Sequence, residues 1–236
     1  MRFADRRFDA YPQLVAAAAR DVGGNLYASA DSDDADLLGA LVLAGFIPEM
    51  EAERFQIRFD KALGWLNRAR VPSTFGVEPA NRVDVDRLVA LDNIIRDDVP
   101  GTDGWHADRS WIHDELSDAP PFDPAAYLVA IHEPSGEFAG LVRMWRNPAG
   151  PRLGLVGVLG AYRRTTLAAG LLKRSILAAS EWGHDSFVTE TSLSNRVIYQ
   201  RMAGLGAASL GRFRQLVLRN PGGRRGYGTI STGHGA

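Results

Sequence analysis

The residues best suited to chemistry lie in a basic turn, Arg163-Arg164-Thr165-Thr166, between an apolar run and a helical pattern. The run from Leu153 to Gly160 predicts a strand, and apolar residues at helical spacing from Leu167 to Ala179 predict a helix. The first N–H groups of a helix lack partners within it, and the helix dipole places partial positive charge there. The sequence therefore predicts a phosphate-binding turn, although strand-loop-helix units with similar turns also occur without a ligand.

This segment resembles the acyl-CoA-binding motif of the GNAT N-acetyltransferase superfamily, V-x-P-x-x-R-x-x-G-x-G/A followed by an apolar helix. Val158, Arg163 and Ala168 fall on the motif in register. Gly160 stands at the usual proline, and Thr166 stands at the glycine that lets backbone approach the pyrophosphate. The resemblance implies that acetyl-CoA or another acyl-CoA is the donor. The residues that it assigns to donor binding are Val156, Val158, Leu159, Tyr162, Arg163, Arg164, Thr165, Thr166, Leu167, Ala168 and Asn195.

The chain that follows the helix agrees with the same family. Ser186 to Thr189 predicts a strand, Asn195 to Met202 a short helix, and Leu205-Gly206-Ala207 stands where the family carries L-G-F. Residues 212–218 predict the closing strand. The resemblance therefore implies a mixed α/β (α+β) GNAT acyltransferase fold, with a central, mostly antiparallel sheet flanked by helices.

Residues 1–58 repeat the pattern of the end of the chain. Gly23 corresponds to Gly183, and Gly45 corresponds to Gly206, at a nearly constant separation. We therefore expect a truncated, non-catalytic GNAT-like half-domain over residues 1–70, a catalytic GNAT domain over 75–220 and a flexible tail over 221–236. A generic helix-strand-helix-strand cap is the alternative for the first segment.

Aromatic and acidic side chains cluster around two predicted helices, Val83 to Ile95 and Ala107 to Leu116, and the loop between them. In GNAT proteins this region forms one wall of the acceptor site. Because aromatic ring faces and carboxylates both attract a cation, we predict that Trp105, Asp108 and Trp111 contact an amine acceptor. Trp111 as a core residue and Asp108 as a helix cap are the alternatives.

Acyl transfer from a thioester to an amine requires an unprotonated amine, a polarised carbonyl and a protonated leaving thiolate. A backbone N–H group near Val158 or Leu159 would polarise the carbonyl. The family commonly supplies a glutamate base from the strand before the loop and a tyrosine acid from the late helix. This sequence carries neither, and the tyrosine position is Met202.

Two nearby residues are the predicted catalytic substitutes. Tyr199 lies about one turn before Met202 on the same helix, and Glu190 lies at the end of the preceding strand when that strand is taken as Phe187 to Glu190. His132 or Glu133, beside a predicted hairpin turn, could also relay a proton. Packing of the Tyr199 ring in the core is the alternative to a catalytic role.

Composition narrows the class of protein further. The net charge is −1 and there are no cysteines, which excludes disulfides, Cys-ligated metals and a thiol nucleophile. No apolar run approaches membrane-spanning length. We therefore expect a cytoplasmic protein that binds no metal and no membrane, with a homodimer through edge strands as a further expectation.

The leading hypothesis is an N-acyltransferase that moves an acetyl or other acyl group from acyl-CoA to a primary amine. The acceptor would be a small molecule or an amino-acid-like metabolite, and transfer would be direct, in a ternary complex. One alternative keeps the fold and takes the acyl group from a carrier protein or an aminoacyl-tRNA, the only nucleic acid expected as a partner. Another alternative is a catalytically degenerate GNAT fold that binds or senses a ligand.

Overall fold

The computed structural model describes residues 10–22, 25–100, 106–117, 122–219 and 228–230. The chain divides into two compact units. The larger unit comprises Phe55–Glu190 and Asn195–Ser209, and the smaller unit comprises the described residues of Met1–Arg54, Thr191–Ser194 and Leu210–Ala236. The sequence-based division at residues 70 and 75 stays a prediction, and most of the predicted tail lies outside the described residues.

Helices and strands follow one another in a mixed α/β order. The elements are α1 (Tyr11–Val22), β1 (Leu26–Asp31), α2 (Ala35–Leu43), β2 (Ile47–Arg58), α3 (Phe59–Trp65), β3 (Phe75–Pro79), α4 (Val85–Asp97), α5 (Arg109–Leu116), β4 (Tyr127–His132), β5 (Glu137–Asn147), β6 (Gly150–Val158), α6 (Leu167–Ser180), β7 (Ser186–Ser192), α7 (Arg196–Met202), β8 (Ala208–Leu218) and β9 (Gly228–Ile230). The strand-turn-helix predicted around the basic turn is confirmed. β6 ends two residues earlier than predicted, because a short 3₁₀ turn begins at Gly160.

The larger unit is built on an antiparallel meander, β3-β4-β5-β6. The turn between β4 and β5 contains Gly136, whose φ of +68° lies in the left-handed region that glycine tolerates. The residues of β5 alternate between the two faces of the meander, as the pleat requires. Leu141 packs with α4 and α5, whereas Val142 packs with α6.

The helices of the larger unit are fixed by caps and by close packing. The Asp84 carboxylate accepts from the Arg87 amide at 2.9 Å and begins α4, which buries Leu88 and Leu91. In the first turn of α6, a Cβ on Gly170 would lie 2.5 Å from the Val71 amide nitrogen. Only glycine allows that approach, so Gly170 lets residues 70–71 pass directly over the start of α6.

The smaller unit has its own apolar cluster, centred on Leu26, Phe46 and Leu216. In it β1 pairs antiparallel with β8 and parallel with β9. The α2-to-β2 junction turns at Gly45, with φ +93°, and the Phe46 amide donates to the Leu41 carbonyl at 3.0 Å. A left-handed glycine with such a hydrogen bond back into the last turn is a common way for a helix to end.

The corresponding junction at the end of α7 uses the same devices. Gly206 has φ +67°, and the Ala207 amide donates to the Met202 carbonyl at 3.0 Å. The helix starts correspond too, because Asp34 and Asn195 each accept from the amide three residues later. The two segments that repeat in sequence therefore share their local capping pattern at both ends of the helix.

The described residues contain neither a membrane-spanning helix nor a cluster of metal-binding side chains. None of the described helices is both long and apolar enough to cross a membrane. Across residues 10–22, 25–100, 106–117 and 122–219, no group of three or more His, Asp and Glu side chains is placed to hold a metal ion.

Candidate functional site

The turn before α6 is held in shape by its own threonines. The Thr165 hydroxyl donates to the Tyr162 carbonyl at 2.7 Å and accepts from the Leu167 amide at 3.2 Å. The Thr166 hydroxyl donates to the Arg70 carbonyl at 2.7 Å, so it does not cap the helix. With φ at −83°, Thr166 fills the usual glycine position without backbone strain.

The first turn of α6 therefore keeps unpaired amides. Within the described part of the chain, the amides of Ala168 and Ala169 have no intramolecular acceptor. They lie at the positive end of a 14-residue helix, beside the exposed side chains of Arg163 and Arg164. The elements can therefore present backbone donors and two cations to one anion.

Arg163 already holds an anionic partner. Its guanidinium donates to the Asp98 carboxylate, at the end of α4, with both side chains about half exposed (52% and 49%). The Asp98 carboxylate is thus paired with the guanidinium that a phosphate would bind. Because exposed ion pairs contribute little to stability, the pair can exchange one partner for another.

Tyr162 fixes the turn to the β4–β5 hairpin. Its hydroxyl donates to the Glu137 carboxylate at 2.8 Å, and its ring centroid lies 5.1 Å from that of Phe75 and 5.4 Å from that of His132. The hydrogen bond to Glu137 raises the pKa of the Tyr162 hydroxyl. His132, an alternative proton relay, forms part of this cluster and pairs with the Ser135 hydroxyl at 2.8 Å.

The strand before the turn separates from β7. The parallel ladder between β6 and β7 contains one pair, Arg152 with Val188. The Leu159 amide donates to the Ala139 carbonyl of β5 at 2.8 Å, so it does not face the opening. Since successive amides of a strand alternate between its two edges, those of Val156 and Val158 point toward β7, where the ladder is absent.

Glu190 lies on β7 near the start of this opening. Its Oε2 atom is 2.7 Å from Nη2 of Arg152, with exposed fractions of 23% for the glutamate and 43% for the arginine. The Cζ atom of Arg152 lies 5.5 Å from the ring centroid of Trp145. The structure therefore brings a predicted catalytic carboxylate together with a cation and a ring that the sequence had not indicated.

A buried ionic cluster fills the sheet face covered by α4 and α5. Nη1 of Arg143 lies 3.1 Å from Oδ2 of Asp92, and both side chains are at most 1% exposed. Arg96 pairs with the same aspartate, and Glu115 lies 3.9 Å from Nε of Arg143. Burial alone would lower the pKa of Arg143, but the charges of Tyr127, Asp92 and Glu115 raise it. The cluster holds two cations and two carboxylates, so its formal charge balances.

Three aromatic rings surround the Arg143 guanidinium. The ring centroids of Trp111, Trp145 and Tyr127 lie 4.6, 5.0 and 5.5 Å from its Cζ atom. Burial raises the pKa of Tyr127 to about 12. Trp111, predicted to contact an acceptor amine, thus stacks on a cation of the protein itself. Sequence reasoning missed this cluster, although a charged residue inside the apolar strand pattern of β5 was a usable signal.

The remaining predicted acceptor residues fall in different places. Asp108 is the N-cap of α5, where its carboxylate accepts from the Ser110 hydroxyl at 2.6 Å and the Trp111 amide at 2.8 Å. These two bonds lower the pKa of Asp108. Trp105 lies outside the described residues.

Tyr199 and Met202 of α7 pack in an apolar cluster that also contains Phe187 of β7 and Leu153 of β6. The Tyr199 ring packs edge-on against Phe55, with ring centroids 5.8 Å apart. Asn195 caps α7, since its side chain accepts from the Ile198 amide at 3.4 Å. Met202, at the family's tyrosine position, is 7% exposed within the same cluster.

Comparison with known proteins identifies the fold. No protein-family model matches the sequence, and no curated protein matches it. Solved structures with a similar backbone include a GCN5-related N-acetyltransferase from Sphaerobacter thermophilus, with a TM-score of 0.60 and 16% identity over 85% of this chain and 61% of that chain. A tandem GNAT protein from the clavulanic acid biosynthesis pathway gives a TM-score of 0.62 and 14% identity over 89% of this chain and 69% of that chain.

A GCN5-related N-acetyltransferase from Kribbella flavida gives a TM-score of 0.56 and 18% identity over 92% of this chain and 77% of that chain. The chain spans less than two thirds of the Sphaerobacter protein. At these identities the likeness concerns the fold, and the expected mixed α/β GNAT fold is confirmed.

Proposed function

Because the chain has the GNAT fold, we propose that it is an N-acyltransferase that uses acyl-CoA. The acceptor is a primary amine of a small molecule or an amino-acid-like metabolite, and transfer is direct, in a ternary complex. The observation that carries the proposal is the opening between β6 and β7, which leads to the uncapped start of α6. An extended acyl-pantetheine chain fits such an opening, and a pyrophosphate fits the turn beyond it.

Donor binding uses backbone and side-chain groups in different ways. Arg163, released from Asp98, and Arg164 neutralise pyrophosphate charge, and the Ala168 amide donates to a phosphate oxygen. The amides of Val156 and Val158, which face the opening, bind the acyl-pantetheine and polarise the thioester carbonyl. These are main-chain functions, so they do not depend on which side chains residues 153–158 carry.

Catalysis needs a base and an acid, and we assign Glu190 and Tyr199. The Glu190 carboxylate takes a proton from the acceptor ammonium, and the neutral amine forms the new C–N bond while the C–S bond breaks. The Tyr199 hydroxyl protonates the leaving thiolate, and the second proton that the amine nitrogen loses on becoming an amide restores the Tyr199 hydroxyl. Positioning of the two substrates supplies a further large part of the rate.

The test of donor binding is a thermal shift with acetyl-CoA, CoA and longer acyl-CoAs. A ligand that binds the folded state raises the unfolding midpoint by mass action. We expect a rise for the wild type and for Arg109→Ala, and none for Arg163→Ala. Arg109 is a matched control because it also forms an exposed ion pair with an aspartate of α4, Asp86, at 2.8 Å.

Absence of any rise with all of these thioesters would contradict the proposal and leave a carrier-linked acyl or aminoacyl-tRNA donor. An amine screen with the bound acyl-CoA then tests turnover. We expect transfer that is lost in Glu190→Gln and retained in Arg109→Ala.

A second candidate is a GNAT-fold protein that binds acyl-CoA without transferring the acyl group. The burial of Met202 at the family's tyrosine position favours it, because a buried thioether supplies no proton. Under this candidate acyl-CoA raises the unfolding midpoint, but no amine is acylated above the uncatalysed rate.

A further inference from the structure

The Arg152 guanidinium contacts a carboxylate and an aromatic ring and is still accessible to solvent. Arg152 is 43% exposed, pairs with Glu190 at 2.7 Å and lies beside the Trp145 ring at 5.5 Å. It also forms the last ladder pair before β6 and β7 separate. The cation therefore lies at the point where β6 and β7 begin to separate.

The position of the Trp145 ring is fixed by contacts other than the one with Arg152. The indole N–H of Trp145 donates to the Glu115 carboxylate of α5. The ring also lies directly against the backbone of β6, because a Cβ on Gly154 would be only 2.6 Å from it. Glycine at 154 thus allows the ring to lie flat, and the ring keeps its place whichever cation lies beside it.

Arg143 provides the internal contrast. It contacts the same indole ring at 5.0 Å, but it is 1% exposed and pairs with the buried Asp92. Its guanidinium cannot leave without stranding a buried carboxylate. Arg152 can swing into water, so the two cations beside Trp145 differ in whether they can be exchanged.

The exposed fractions of Arg152 and Glu190 favour replacement of the guanidinium by another cation over its departure without a replacement. The Glu190 side chain is 23% exposed, about half the fraction of its arginine partner. When the guanidinium leaves, the better-buried carboxylate loses one favourable charge contact, and another cation can replace that contact.

We infer that the Arg152 guanidinium is a placeholder for the cationic amine of the acceptor. The ligand class is a primary alkylammonium whose charged end lies between the Trp145 ring and the Glu190 carboxylate. The ammonium displaces the guanidinium, and in the reaction it gives one proton to Glu190, which leaves the lone pair for attack on the thioester. This last step rests on the proposed function, whereas the exchange of cations does not.

The test is equilibrium binding of n-butylammonium chloride without any donor, measured by calorimetry at fixed ionic strength. An internal competitor reduces apparent affinity by the fraction of open sites, so we expect Arg152→Ala to bind about tenfold more tightly than the wild type. Arg152→Gln, which keeps most of the side-chain length, should gain as well. In the Arg152→Ala background, Glu190→Gln and Trp145→Leu should each abolish the gain.

Arg146→Ala is the matched control, because the Arg146 guanidinium lies over another indole ring, that of Trp182, at 5.9 Å. It should bind the probe as the wild type does. Equal affinity of Arg152→Ala and wild type, or an equal gain in Arg146→Ala, would overturn the inference. Circular dichroism and the unfolding midpoint establish that each variant is folded.

The two proposals fail separately. If acyl-CoA never raises the unfolding midpoint but Arg152→Ala gains affinity for the probe, the cation site stands without acyl transfer. If acyl-CoA binds and amines are acylated while the probe shows no gain, Arg152 is not a placeholder and the acyltransferase proposal stands.

Discussion

The pair of Arg143 and Asp92 gives the sharpest prediction about stability. Nη1 of Arg143 and Oδ2 of Asp92 are 3.1 Å apart, with side chains that are at most 1% exposed. Removal of one partner from such a pair leaves an uncompensated buried charge, which typically costs about 3–5 kcal/mol. We expect Asp92→Asn to lose that amount of unfolding free energy, because both Arg143 and Arg96 lose their carboxylate.

Arg143→Met should cost less than Asp92→Asn. In that variant Asp92 keeps Arg96, whose side chain is 13% exposed, and an apolar side chain fills the space among the rings. A loss of about 1.5–3 kcal/mol is expected, the range for a hydrogen bond to a charged group. The double variant should cost less than the sum of the single ones, with a coupling of about 2 kcal/mol.

Urea unfolding followed by tryptophan fluorescence measures all four members of this cycle. The exposed pair Arg109–Asp86 is the matched control, and its cycle should give at most about 1 kcal/mol. Additive effects at Arg143 and Asp92, or a loss in Asp92→Asn no larger than in Asp86→Asn, would refute the reasoning from burial.

Three further predictions follow from single contacts. Asp98→Asn removes the carboxylate that holds Arg163, so calorimetry should show CoA bound about two- to fivefold more tightly, and unchanged or weaker binding would contradict this competition. Tyr127→Phe should lose less stability at alkaline pH than the wild type, because burial raises the folded-state pKa of Tyr127 to about 12, above the unfolded value of about 10. The stability that the neutral hydroxyl contributes below pH ~10 is lost as the pH rises toward ~12, so an identical alkaline unfolding profile for the variant would contradict this prediction. Asp108→Ala removes the cap of α5 and should cost about 1 kcal/mol at pH 7, with a difference that shrinks as pH falls through the lowered pKa of Asp108, so a pH-independent difference in urea midpoints would exclude a charged cap.

Local sequence patterns predicted the elements well because the forces that fix them are local. The caps at Asp84 and Asn195 and the left-handed turn at Gly206 involve residues a few positions apart. Thr166, by contrast, stands at the usual glycine without strain, because its hydroxyl reaches the carbonyl of Arg70, far away in sequence. No pattern within the motif could have indicated that acceptor.

By itself the sequence determined the order of strands and helices, the basic turn before α6 and the likeness to one fold family. These follow from periodicity and from short-range hydrogen bonding, which are written in neighbouring residues. Only the tertiary structure decided which charges meet: Arg163 with Asp98, Arg152 with Glu190, and Arg143 with Asp92. Whether an ionic group is locked or exchangeable depends on burial, and burial is set by packing between segments far apart in the chain.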